Sequence, residues 1–358
     1  MPNIEELDPN FKVKQEFDEK GIAFRDIEEE PFKIYGVKKQ PTNRQPKGQY
    51  CRIDDSTSRT ISENIFWLNR NTSGGRVRFK TNSTTVTILC AQSGIPSQSH
   101  MCRMGSTGFD LYLEEDAGSS VYKGSFVPPF DNKDGYVSTM NIGNGEMKNV
   151  CINFPLYSNV IDLQIGLKND AVLQAPRPYT IEKPIVYYGS SITQGGCASR
   201  PGNSYQGFIS RRFDCNYFNL GYSGSAKGEK AASDYIKSLD MSVFVYDYDH
   251  NAPTPEHLKE THEPFFKNIR DAHPNLPIIM MSRPSFLEDP DTVARREIIK
   301  TTYDNAVKNG DKNVYFLSGK ELMALCGNDG TVDGCHPNDA GFFSMAQAII
   351  KVLEKIFK

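Results

Sequence analysis

The sequence predicts an α/β protein of two parts, an all-β sandwich followed by a domain built on a parallel sheet. Three observations carry this. The chain has 358 residues, more than one average domain. Its first half is a series of short strand-like segments broken by Gly, Asn, Ser and Pro clusters, the pattern of a sandwich. After about residue 180 the rhythm changes to strand, helix, strand, helix, which calls for a parallel sheet covered on both faces.

In the first half, Phe32-Lys33-Ile34-Tyr35-Gly36-Val37 and Gly75-Arg76-Val77-Arg78-Phe79-Lys80 alternate apolar and polar residues. Thr84 to Cys90 is rich in β-branched residues, and Gly108-Phe109-Asp110-Leu111-Tyr112-Leu113, Val150 to Phe154 and Val160 to Leu167 follow. No helical period separates them. Trp67, the lone tryptophan, and the Phe-Asp-Leu-Tyr run are expected in the sandwich core. Ala175-Pro176-Arg177-Pro178-Tyr179 reads as a stiff connector, because proline fixes φ and cannot extend a ladder. The expected division is an N-terminal extension over 1–29, a sandwich over 30–174 and an α/β domain over 183–358.

In the second half, Ile185–Tyr188 is a buried strand and Tyr205–Phe213 a helix. Tyr217–Leu220 and Ser242–Tyr246 are the next strands. Thr254-Pro255 supplies an N-cap and a first-turn proline for a helix whose polar face can carry His257 and His262, and His273-Pro274 stops it. Pro277–Met281 is a strand, Thr292–Lys308 a helix, Val314–Leu317 the last strand, and Ala340–Phe357 a closing amphipathic helix.

Composition narrows the function. Hydrophobic residues at 38%, charged residues at 24% and 21 prolines describe an ordinary globular protein. A net charge of −3 makes no electrostatic case for nucleic acid or an anionic membrane as partner. No stretch approaches the roughly 18 apolar residues of a membrane span. The start, Met1-Pro2-Asn3-Ile4-Glu5-Glu6-Leu7, is acidic without an apolar core, so a cytoplasmic protein is expected. Eight cysteines stand without any Cys-x-x-Cys, which reads as free thiols in a reducing compartment, with no metal and no cofactor. Oligomeric state is not legible.

In such a sheet a ligand sits at the carboxyl ends of the strands. The first strand ends in Gly189-Ser190-Ser191, a tight turn that exposes a hydroxyl beside the N–H groups of a following helix. The second ends in Asn219-Leu220-Gly221-Tyr222-Ser223-Gly224, a flexible turn able to aim a backbone N–H. The third gives Asp247-Tyr248-Asp249-His250-Asn251, the fourth Ser282-Arg283, and beyond the last stands Asp333-Gly334-Cys335-His336-Pro337. Nucleophile, base, orienting carboxylate and oxyanion donors are what acyl transfer needs. A serine after a strand is usually only a helix N-cap, and Asp-Gly only a turn; the order of the blocks favours chemistry. Arg283 reads as a salt-bridge partner and Cys335 as no nucleophile, being next to its own base.

Gly189-Ser190-Ser191-Ile192-Thr193 resembles the Gly-Asp-Ser-Ile-Thr block of the GDSL or SGNH hydrolases. Asn219-x-Gly-Tyr-Ser-Gly224 is similar to their glycine block and Asp333-x-x-His336-Pro337 to their last. Gly108-Phe109-Asp110-Leu111-Tyr112, with Tyr50-Cys51-Arg52-Ile53-Asp54 and Gly74-Gly75-Arg76-Val77-Arg78-Phe79, is similar to the β-sandwich preceding the hydrolase domain in one subfamily. The resemblance implies a three-layer α/β/α, flavodoxin-like hydrolase domain after a jelly-roll-like sandwich. It implies Ser191 as nucleophile, His336 as base and Asp333 as its orienter, with oxyanion donors from Ser191, Gly224 and an asparagine. Electrostatics picks Asn251 for the last, because an ionised Asp247 or Asp249 has no proton to donate. Serine at 190, where aspartate is usual, leaves that acid dispensable or replaced. The expected activity is short-chain, chiefly acetyl, ester hydrolysis on a small-molecule or oligosaccharide ester. The alternatives are an acyltransferase with the same acyl-enzyme, or a carbohydrate-binding protein with an inert hydrolase scaffold.

Overall fold

A computed structural model describes residues 4–8, 21–41, 45, 48–96, 98–115 and 119–358. Most of the extension expected over 1–29 lies outside the described residues, with one correction. Ile22–Asp26 is a strand paired antiparallel with Asp162–Lys168, so the sandwich begins before residue 30. The acidic stretch around it masks the alternation of Ile22 and Phe24, which face a glycine, Gly166, whose missing side chain leaves them room.

One sandwich sheet runs Ile22–Asp26, Asp162–Lys168, Thr85–Ala91, Gly135–Asn141. The other runs Leu173–Gln174, Arg76–Thr81, Lys148–Asn153, Phe109–Glu114, Ser120–Phe126, with Lys33–Tyr35 also paired to Arg76–Thr81. All these pairings are antiparallel. Val77, Phe79, Ile88, Phe109, Leu111, Ile152 and Ile165 are among the side chains buried between the sheets. Short helices interrupt the β pattern at Asp55–Ile61, Glu63–Leu68 and Arg103–Thr107, where only strands are expected. Trp67 lies on the second of these and is 43% exposed, not core; its neighbour Phe66 takes the buried position.

The second domain is a five-stranded parallel sheet in the spatial order Cys215–Gly221, Ile181–Gly189, Val243–Asp247, Ile278–Met281, Val314–Leu317. Helices cover both faces, and each face carries its own buried core. This three-layer order, in which the first strand of the domain lies between the second and third, is the doubly wound, flavodoxin-like arrangement. The helix Pro255–Ala272 starts as its sequence demands, Thr254 accepting from the His257 N–H with proline in the first turn. His262 departs from expectation. It is buried, stacked on Tyr246 at 4.7 Å and bonded through Nδ1 to Thr302 Oγ1 at 2.9 Å. Among the described residues no helix is long and apolar enough to cross a membrane. All eight cysteines are free thiols.

The alternation of Phe109-Asp110-Leu111-Tyr112 divides the run between two tasks. Phe109 and Leu111 enter the sandwich core, while Asp110 and Tyr112 face the second domain. Asp110 is fully buried and accepts from Arg200 Nη1 at 2.9 Å, the Gly202 N–H at 2.8 Å and Asn153 Nδ2 at 2.7 Å. Tyr112 takes a second Arg200 hydrogen bond and lies under the Arg211 guanidinium. A buried carboxylate saturated by donors is a satisfied charge, and it fixes the domains to one another.

Candidate active site

Ser190 and Ser191 divide the two readings of a post-strand serine. Ser190 is buried and is the N-cap, its hydroxyl accepting from the Ile192 N–H at 3.2 Å. Ser191 opens the helix Ser191–Gln194, half-buried, its hydroxyl free for other work. That hydroxyl lies 2.9 Å from His336 Nε2, and His336 Nδ1 lies 2.7 Å from Asp333 Oδ2. The Asp-Gly turn is real, with Gly334 at φ 82°, and its aspartate also serves the histidine. Asp333 Oδ1 accepts from the backbone N–H groups of His336 at 2.7 Å and Cys335 at 3.0 Å. Partial burial works to raise its pKa, but the hydrogen bonds from His336 and Cys335 outweigh it and hold the carboxyl at about 2. An ionised Asp333 keeps the His336 proton on Nδ1 and turns the Nε2 lone pair to Ser191.

Gly224 and Asn251 lie on the turns that follow the two strands flanking the Ser191 strand. The Ser191 N–H is the first of its helix and has no intrahelical acceptor. Gly224 sits at φ 64° with open space where a side chain would be, so backbone conformation rather than crowding selects glycine there. Asn251 gives one amide hydrogen to the Tyr222 carbonyl at 3.0 Å, tying the third block to the glycine turn and leaving its second N–H. Asp249 is spent elsewhere: it accepts from the Arg283 N–H at 3.0 Å and faces that guanidinium at 3.6 Å. Arg283 is thus the salt-bridge partner expected, and Asp291 shares it at 3.1 Å. His250 is pushed down to about 3 by burial and then by nearby Arg283 and His336, so it is neutral. Its Nδ1 faces the Cys335 thiol at 3.8 Å.

Three features are hidden from the sequence. The first is Asp247, which lies beneath the turn that carries serine at 190. Its Oδ1 accepts from the Thr193 hydroxyl and from the Ser190 N–H at 3.4 Å, directly under the nucleophile turn. A Cβ on Gly189 would collide with that oxygen and with Thr193 Oγ1, so the turn needs glycine. Burial raises Asp247 to about 8, so it is a neutral acid at pH 7, not the ionised group expected. The second is Arg52 of the sandwich, which is buried. It donates to the carbonyls of Gly221, Asn219 and Leu68 and stacks on Tyr222 at 4.1 Å, bracing the glycine turn from below. The third corrects the expectation of no metal-like cluster: His100, Cys197 and His336, far apart in sequence, bring ligand atoms within 4.8 Å of one another.

The hydrogen-bonded series Ser191, His336 and Asp333 thus lies at the carboxyl edge of a doubly wound sheet, with Tyr157 and His100 of the sandwich half against it. Residues 182–354 match the GDSL-like lipase/acylhydrolase family, and residues 22–173 match the N-terminal GxDLY domain of the SGNH-hydrolase-type esterases. The chain belongs to the GDSL/SGNH hydrolases, a family of ester hydrolases. A structure described as a GDSL-like lipase from Bacteroides ovatus is 28% identical, with 94% of this chain and 98% of that one covered and a TM-score of 0.81. The salicylyl-acyltransferase SsfX3 of a tetracycline biosynthetic pathway is 16% identical, covers 95% and 98%, and superposes with a TM-score of 0.74. A family two carbohydrate esterase from Clostridium thermocellum, in complex with cellohexaose, is 14% identical, covers 79% and 92%, and gives 0.58. The last two show a shared fold. A search of curated proteins gives no match.

Proposed function

We propose that the protein is a serine esterase that releases short acyl groups, acetyl foremost, from carbohydrate esters. The observation that carries this reading is the hydrogen-bonded series Ser191–His336–Asp333, with spacings of 2.9 and 2.7 Å. Ser191 Oγ attacks the ester carbonyl while His336 Nε2 takes its proton, and Asp333 stabilises the imidazolium so formed. Negative charge gathering on the carbonyl oxygen meets the N–H groups of Ser191 and Gly224 and the second amide N–H of Asn251. His336 then protonates the departing sugar hydroxyl, and water, activated by the same histidine, frees the acid and restores Ser191. The loops at the strand ends near the nucleophile, 195–203, 224–229 and 247–254, are polar, with hydroxyl and amide groups that suit a sugar. An acyl chain of several methylenes needs an apolar wall, each methylene being worth about 0.8 kcal/mol when buried. The fold likeness to family two carbohydrate esterases and to an acetyl xylan esterase from Butyrivibrio proteoclasticus supports this substrate class.

A second reading uses the same acyl-enzyme with an alcohol other than water as acceptor. The higher structural similarity to the salicylyl-acyltransferase favours it. Incubating the protein with acetylated xylo-oligosaccharide, with and without a sugar or phenol acceptor, separates the two. Esterase action releases acetate at a rate the acceptor leaves unchanged; transfer gives a new ester at the expense of acetate.

A further inference from the structure

We propose that His100, Cys197 and His336 form a zinc-binding site whose occupation disables the catalytic histidine. Three separate segments supply the ligands: the sandwich loop before the Arg103–Thr107 helix, the loop after the Ser191 helix, and the turn before the closing helix. Their ligating atoms lie within 4.8 Å of one another, and the two imidazole rings are 5.4 Å apart between centroids, tilted by 48°. Two imidazoles and a thiolate suit a borderline-soft cation that prefers four-coordinate tetrahedral geometry, with water completing the set. With Zn–N near 2.1 Å and Zn–S near 2.3 Å, tetrahedral ligands are about 3.5 Å apart, so the cluster has about 1 Å to close. His100 is exposed at a turn and is the ligand free to make that movement.

His336 is already dressed as a zinc ligand. A carboxylate accepting from one ring nitrogen fixes the tautomer and directs the other lone pair outward, which is the device that orients histidines on zinc. Asp333 does this through Nδ1 at 2.7 Å. The lone pair left is that of Nε2, the atom facing Ser191. A cation there takes the electron pair that would receive the serine proton, so zinc and turnover exclude one another. Cys197 gives up its thiol proton to solvent on binding. The neighbouring thiols are otherwise engaged: Cys102 Sγ with the Ser199 carbonyl at 2.9 Å, Cys335 Sγ with His250 at 3.8 Å.

The inhibitory half of this inference rests on the proposed triad; the binding half does not. The test therefore has two arms on the full chain. In the first, Co2+ serves as probe, because a thiolate-to-cobalt absorption band reports coordination without turnover. Wild type, Cys102→Ser and Cys335→Ser should show the band and lose it when Zn2+ displaces Co2+. Cys197→Ser should lack it, and His100→Ala should bind about a hundredfold or more weaker, a lost ligand costing more than a lost outer-shell partner. In the second, Zn2+ should abolish hydrolysis of a nitrophenyl acetate and EDTA restore it. His100→Ala and Cys197→Ser should keep basal activity and escape inhibition. No cobalt band in wild type, a band persisting in Cys197→Ser, or equal zinc inhibition in wild type and both variants would overturn the site. A cobalt band in a protein with no esterase activity would uphold the site and count against the proposed function alone.

Discussion

Replacing Asp247 by asparagine should make the protein more stable, by an amount that grows with pH. The native carboxyl keeps its proton up to about 8, whereas an unfolded chain releases it near the ordinary value of 3.8. Between those values the folded state binds more protons than the unfolded one, so raising the pH favours unfolding. Stability from this residue is present in full below 3.8, falls through the window, and levels off above 8. Four pH units at about 1.4 kcal/mol each give a span of about 6 kcal/mol, of which about 4 lies between pH 4 and pH 7. Asparagine has no proton to lose and keeps a carbonyl oxygen for the Thr193 hydroxyl and the Ser190 N–H, the two donors Asp247 now serves. Urea unfolding of wild type and Asp247→Asn at pH 5, 6.5 and 8 isolates the effect, because titrations of buried groups such as His250 and His262 cancel in the difference. The variant should gain several kcal/mol over wild type between pH 5 and pH 8, with activity at pH 7 near that of wild type. A difference that stays constant with pH would refute the neutral buried acid.

Three further outcomes follow from the same geometry. Asn251→Ala should lower kcat at nearly constant KM, by about 3 kcal/mol of transition-state stabilisation, and steady-state kinetics read it; full activity in this variant beside a dead Asp249→Ala would move the oxyanion role to Asp249. Arg52→Lys should lose the planar fork that reaches three carbonyls, costing about 2 kcal/mol in thermal unfolding and lowering kcat through a loosened glycine turn; unchanged kcat would make Arg52 merely structural. Acetyl esters should be cleaved faster than octanoyl or longer ones, with activity undiminished by EDTA; a long-chain preference, or loss of activity on chelation restored by zinc, would contradict the reading.

Much of this was legible in the sequence, for physical reasons. A parallel sheet buried on both faces produces uninterrupted apolar runs such as Val243–Tyr246, and their carboxyl ends point to Ser191, Gly224 and Asn251 without any coordinates. Caps are local chemistry, so Thr254-Pro255 marked its helix correctly. The illegible parts depend on what is brought together from a distance. Burial decides that Asp247 is neutral and that His262 is core, and burial is a property of the whole fold. Ile22–Asp26 is a strand because Gly166 of another strand makes room for it. Arg52 reaches the glycine turn and His100 the His336 ring across the domain boundary, where no spacing rule applies. The expectation of no metal-like cluster failed for the same reason, since ligand spacing in sequence sees only local sites.

The central claim is that Ser191, activated by His336, forms a covalent acyl-enzyme. Reaction with a fluorophosphonate, followed by peptide mass analysis, tests it most directly. One adduct should form on wild type, at the peptide bearing Ser191. It should vanish in Ser191→Ala, slow by on the order of a thousandfold in His336→Ala, and be untouched in Cys335→Ser. Labelling that persists in a folded Ser191→Ala protein, or esterase activity that survives that substitution, would contradict the account.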